Sequence, residues 1–144
     1  MVASHAAQSL SLAPGLTALR ITLHVLAATI WVGGQFVMLG LLPTARSMGG
    51  DTTKKLAAAF GRLSWPAFAV LVLTGFWNLA ALHGETKTSA WSAVMGIKYA
   101  LVLAAGLGAW LHSRATSKGA LAAWGSIGGV ASVLALVAGV LLAG

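Results

Sequence analysis

The sequence predicts an all-α integral membrane protein built as a four-helix bundle, and three observations carry that reading. Charged residues make up 8% of the 144 residues, where a soluble domain uses roughly 25% to clothe its surface. The mean hydropathy is +0.89. The apolar residues gather into four continuous runs, each of a length that crosses a ~30 Å hydrocarbon core as a helix. Barrel strands would instead alternate apolar and polar residues. Eighteen glycines and many alanines fit helices that pack closely in lipid, where small side chains let backbones approach.

The elements follow in order. Residues 1–15 form a Ser/Ala-rich arm. It lacks the basic segment that opens a cleaved signal peptide, and His5 in it reads as a solvated side chain. Residues 16–144 form a single membrane domain. Its first span covers about 19–42, with Pro43 marking the exit and Arg20 close enough to the entrance to snorkel. Asp51 is placed to N-cap a helix over about 52–63. There Leu56, Ala59, Phe60 and Leu63 share one face, opposite Lys54, Lys55 and Arg62. That pattern predicts an amphipathic helix lying in the interface. The second span covers about 65–82. It opens on Trp65-Pro66, carries Thr74, Trp77 and Asn78 on one side, and closes at His83-Gly84. The third covers about 91–112, with Met95 and Lys98 near its start and His112 at its end. The fourth covers about 120–142 and has no ionisable residue. Its Gly125-x-x-x-Gly129 and Gly128-x-x-x-Ser132 spacings predict close packing.

Four spans put both termini on one side. The connections between spans one and two and between spans three and four hold six basic residues: Arg46, Lys54, Lys55, Arg62, Arg114 and Lys118. The opposite end holds three, Arg20, Lys87 and Lys98. The positive-inside rule therefore predicts extracytoplasmic termini and a multi-pass protein of the inner membrane. The net charge of +7 then serves anionic lipid headgroups rather than nucleic acid. On a rise of ~1.5 Å per residue, His24, Trp77, Asn78, His83, Met95 and Lys98 fall in the outer half, while His112 lies ~24 Å from His24. His24 and His112 therefore should not share an ion.

The absence of cysteine removes thiolate ligands and iron–sulfur chemistry. Asp51 and Glu85 are the only acidic residues, and no nucleophile–base arrangement is present, so no catalytic residue is assigned. What remains is a polar stripe on the first span. His24, Trp31 and Gln35 fall within ~40° of one another on a regular helix, with Met38 at the edge. Gly33-Gly34 is where that span would loosen. A neutral imidazole ligates copper, and thioether sulfur favours Cu(I). His24 could act with His83 and Met95, or with Met38. It could equally bind a haem b iron axially, with Ala27, Ala28, Gly33 and Gly34 leaving room and Trp31 and Trp77 as walls. Lys98 or Arg20 would then pair with a propionate. The plain alternative for His24 is an interhelical hydrogen bond to Asn78 or Thr74. Lys98 either snorkels outward or faces the bundle interior and needs a partner.

The segment His24-Val25-Leu26-Ala27-Ala28-Thr29-Ile30-Trp31-Val32-Gly33-Gly34 resembles the H-x(6)-W-x-G-G motif of the copper resistance D family of bacterial membrane proteins. Lys98-Tyr99-Ala100-Leu101-Val102 resembles that family's K-x-x-L-V segment. With the span count, the resemblance covers Leu19 to His112 and implies copper handling or uptake at the cytoplasmic membrane. His24 would be the ligand, with Met38, His83 and Met95 as further ligands. Trp31, Gly33, Gly34, Gln35 and Trp77 would line the site, and Lys98 would set its electrostatics. Larger members carry more spans; this chain corresponds to a core four-helix unit without a Met/His-rich arm. His24, Trp31, Gly33 and Lys98 also resemble the pattern of the small four-span protoporphyrinogen oxidases, which implies haem b. A third reading is an accessory subunit, in a homo-oligomer or a larger membrane complex, whose small-residue faces pack on partner helices.

Overall fold

The four apolar runs fold as four long helices joined by short turns, which makes sequence neighbours antiparallel. The computed structural model describes residues 12–143. His5 and most of the N-terminal arm lie outside the described residues. The helices are α1 (Gly15–Ser47), α2 (Thr52–Ala80), α3 (Ser89–Arg114) and α4 (Lys118–Ala143), all long and apolar enough to cross a membrane. Each runs past the span predicted for it at one or both ends. A helix continues into the headgroup region as long as its backbone bonds are met, whereas hydropathy marks only the part in hydrocarbon.

Three local expectations are corrected. Pro43 does not end the first helix; α1 continues through it to Ser47. Proline removes one i→i−4 bond. Near the end of a span the carbonyl it leaves free can be met by water. Asp51 sits at the N-cap of α2, but its side chain makes no capping bond. Its carboxylate instead lies 3.9 Å from Lys54. Finally, residues 52–63 are not a helix separate from the second span. They are the opening turns of the unbroken α2, which also accommodates Pro66. The physical reason is tertiary. The Phe60 ring packs onto α1 at Gly34, where a side chain would collide with it. Phe60, on the apolar face expected to meet lipid headgroups, meets α1 instead, while Leu63 of the same face stays exposed. The turn before α2 reverses sharply through Gly49 and Gly50, whose φ values of +68° and +57° lie in the left-handed region that favours glycine.

The packing is inverted relative to a water-soluble bundle. Among the described residues, the buried apolar ones are Trp31, Val32 and seven alanines, including Ala27, Ala67, Ala105 and Ala135. Large apolar side chains such as Phe36, Leu39, Leu73, Leu103 and Val140 are exposed. In water this surface would be an aggregation liability. In lipid it is the expected arrangement, because helices associate through small residues rather than by hiding leucines.

Helices α3 and α4 form the closest pair. A Cβ built on Gly108 would fall 2.7 Å from the Gly128 nitrogen, so the two backbones touch. The α1–α2 pair meets this second hairpin through Phe68. Its ring lies 4.4 Å from that of Trp31 and against Gly106 of α3, where a Cβ would come within 2.9 Å.

Candidate functional site

The predicted stripe on α1 divides between two levels. The upper level centres on His24, which is half-buried and faces α2. Its Nδ1 lies 2.8 Å from the Thr74 hydroxyl. That hydroxyl lies 2.7 Å from the Val70 carbonyl and 3.2 Å from that of Leu71. Carbonyls only accept, so with the single hydroxyl proton given to them it is Nδ1–H of His24 that donates. The Nε2 lone pair is thereby left as the free edge of the ring. On the same side, Cε1 packs on Gly75, where a Cβ would stand 3.6 Å away.

Lys98 belongs to this level. It is half-buried on α3 and lies within electrostatic reach of His24. Its Nζ rests against α4 at Gly139, where a Cβ would come within 3.1 Å. The side chain therefore faces the bundle rather than snorkelling outward. The one ion pair among the described residues joins Asp51 and Lys54, so Lys98 has no carboxylate partner there.

The lower level lies seven residues further along α1, at a π-helical segment spanning Thr29–Gly33. This is where the glycine pair was expected to loosen the span. A π segment changes which way the following side chains point. Trp31 is 4% exposed, and its ring contacts Phe68 and Trp65, the latter with centroids 5.6 Å apart. Its Nε1 donates to Ser132 of α4 at 3.0 Å. Gln35 Nε2 donates to the same hydroxyl at 3.3 Å and to the Trp31 carbonyl at 3.0 Å. Ser132 in turn donates to the Gly128 carbonyl at 2.7 Å. Both lone pairs and the proton of Ser132 are thus used, and Trp31 and Gln35 lock α1 to α4.

The two glycines differ in role. A Cβ on Gly33 would meet only the Thr29 methyl at 3.9 Å, whereas at Gly34 it would enter the Phe60 ring. Met38 is half-buried, fourteen residues beyond His24 on the same helix, which is ~21 Å along the axis. Met95 is half-buried on α3, one turn before Lys98. His83 is exposed in the turn after α2, and Trp77 is 39% exposed. His112 is exposed at the opposite end of the bundle, its Nδ1–H donating to the Leu121 carbonyl at 2.8 Å. Among the described residues, no three His, Cys, Asp or Glu side chains gather as a metal-holding group. Any ion held at His24 by the described residues would therefore need ligands of another kind beside at most two such side chains.

Sequence reasoning passed over Ser132. Its spacing from Gly128 reads as a packing pattern, and its polarity in an otherwise apolar run was the available signal. It also gave no hint that Arg46, His112 and Lys118 border one cavity. No protein-family model, curated protein or solved structure matches the chain.

Proposed function

We propose that the chain handles copper at the bacterial cytoplasmic membrane, binding Cu(I) through Nε2 of His24, with both termini on the extracytoplasmic side. The observation that carries this reading is the hydrogen bond from Nδ1–H of His24 to Thr74, whose own proton is committed to the Val70 and Leu71 carbonyls. A ligating histidine characteristically donates its other ring N–H to a fixed acceptor, which sets the tautomer and the ring orientation. A thioether is the soft ligand that would complete a Cu(I) site, and among the described residues Met95, on the same helix as Lys98, is the methionine at the matching end of the bundle. The six basic residues at the α1–α2 and α3–α4 turns against three at the other end support the orientation.

A second reading, haem b bound axially by His24, is favoured by one observation. Lys98 lies within electrostatic reach of the imidazole, and among the described residues no carboxylate stands within ion-pair distance of it. A cation there would suit a propionate and would oppose a metal cation.

One purification tests both. Protein isolated in detergent after growth with copper and a haem precursor is analysed for metal content and for its visible spectrum, oxidised and then reduced. Stoichiometric copper, lost in His24→Ala, is the expected result. A Soret band lost in the same variant would replace copper by haem. Neither group in the wild type, with large partners co-purifying, would reduce the chain to an accessory subunit.

A further inference from the structure

A groove distinct from the His24 site runs between the second half of α1 and the first part of α4. Its volume is about 1000 Å³. Phe36, Leu39 and Leu42 form one wall, and Leu121, Val130 and Leu134 form the other. Arg46, His112 and Lys118 border it, and all three belong to the end of the bundle where α1 and α3 finish and α4 begins. The groove is thus apolar along its length and basic at one mouth.

Its dimensions match one leaflet. On α1 it extends from Val32 to Arg46, and on α4 from Lys118 to Leu134. At the helical rise these are ~21 and ~24 Å. Half of a bilayer, headgroups included, is ~20–22 Å thick. A single lipid reaches from the basic mouth to the midplane.

The charge at the mouth is uncompensated. Arg114, on the same end, is taken up by the Trp110 ring 5.0 Å away. Lys54 is taken up by Asp51. Among the described residues, Arg46 and Lys118 have no acidic side chain within ion-pair distance. A second copy of the chain could not supply one. Its only carboxylate at this end is Asp51, already beside Lys54, because Glu85 lies in the turn at the other end.

We propose that this groove binds one anionic glycerophospholipid, with its phosphate held between Arg46 and Lys118 and an acyl chain along the apolar walls. The Nδ1–H of His112 is tied to Leu121, so its Nε2 stands at the same mouth as an acceptor for a headgroup hydroxyl rather than for the phosphate. The site is independent of whether His24 binds copper, haem or neither.

The test is native mass spectrometry of the full chain, released from detergent containing equal amounts of phosphatidylglycerol and phosphatidylcholine with identical acyl chains. One phosphatidylglycerol retained per chain, in preference to phosphatidylcholine, is expected. The double variant Arg46→Gln/Lys118→Gln should lose that preference by about thirtyfold, the factor two surface cations supply. Lys55→Gln, on the same end but outside the groove, should leave it unchanged. Ala122→Trp fills the groove and should lower retention of both lipids. Circular dichroism on each variant checks that the helices remain. Equal retention of the two lipids by the wild type would overturn the proposal. So would a loss in Lys55→Gln as large as in the double variant, or a dimer that persists without lipid and is broken by Ala122→Trp.

Discussion

His24 of α1 and Thr74 of α2 are joined by a 2.8 Å hydrogen bond, in which the imidazole donates when the threonine proton goes to the Val70 carbonyl 2.7 Å away. The bond fixes the ring between two helices and leaves one nitrogen free. If that nitrogen is a ligand, Thr74 is a positioning residue. Thr74→Val keeps the shape and removes the acceptor. Metal or haem retention should then fall 10–100-fold, the usual effect of removing such a partner, while the helices remain. Thr74→Ser retains a hydroxyl and should restore most of it. If Thr74→Val retains the full complement, the ring is not oriented for ligation by this bond.

The contact between Gly108 and Gly128 makes a separate prediction about stability. A methyl group on Gly108 would stand 2.7 Å from a backbone nitrogen and 2.8 Å from a Cα, neither of which can rotate away. Gly108→Ala should therefore destabilise the α3–α4 pair by about 1–3 kcal/mol, the range for overpacking. Gly96 on the same helix has nothing within 4 Å of its would-be Cβ. Gly96→Ala should be neutral or stabilising by up to about 1 kcal/mol from helix propensity. Thermal melting in one detergent compares the two variants. Equal melting temperatures would mean that the backbones do not touch.

The contrast between these glycines shows what the sequence makes legible. Span number and helical class follow from hydropathy, because lipid leaves the backbone no option but internal hydrogen bonding. His24–Thr74 was among the pairings that span depth allows, since an antiparallel turn brings those positions to similar levels. The face on which a side chain lies is harder to read. His24, Trp31 and Gln35 form one stripe on a regular helix. Here the π segment at Thr29–Gly33 intervenes, with His24 on Thr74 of α2 and Trp31 and Gln35 on Ser132 of α4. Likewise the run from Thr52 to Leu63 is amphipathic in isolation. The Phe60–Gly34 contact, made across two helices, accompanies its place in the unbroken α2 and is not legible in the sequence.

Ser132 is the hinge of that lower level. It accepts from both Trp31 Nε1 and Gln35 Nε2. Ser132→Ala strands the buried Trp31 Nε1–H and leaves Gln35 Nε2 only its bond to the Trp31 carbonyl. The expected cost is about 1–2 kcal/mol, bounded below by the averages measured inside membranes. Trp31 is one of six tryptophans, so the readout is melting rather than total fluorescence. A double-mutant cycle with Trp31→Phe assigns the loss to this bond. Strictly additive losses would place the effect elsewhere.

Lys98 separates the two cofactor readings. Its ammonium lies within electrostatic reach of His24 and touches Gly139, so Lys98→Met removes a charge while keeping most of the side-chain volume. A copper ion at Nε2 is a cation, and removing a neighbouring positive charge lowers the opposition to it. Copper retention in Lys98→Met should hold or rise. A haem carries propionates, and losing a charge-assisted hydrogen bond costs roughly 1.5–3 kcal/mol. Haem retention should then fall about tenfold or more. Both are read on one preparation, by metal analysis and by the Soret band. A fall in copper retention as steep as that in His24→Ala would mean that Lys98 helps to hold the ion rather than opposing it. The copper site would then have to be redrawn around the lysine.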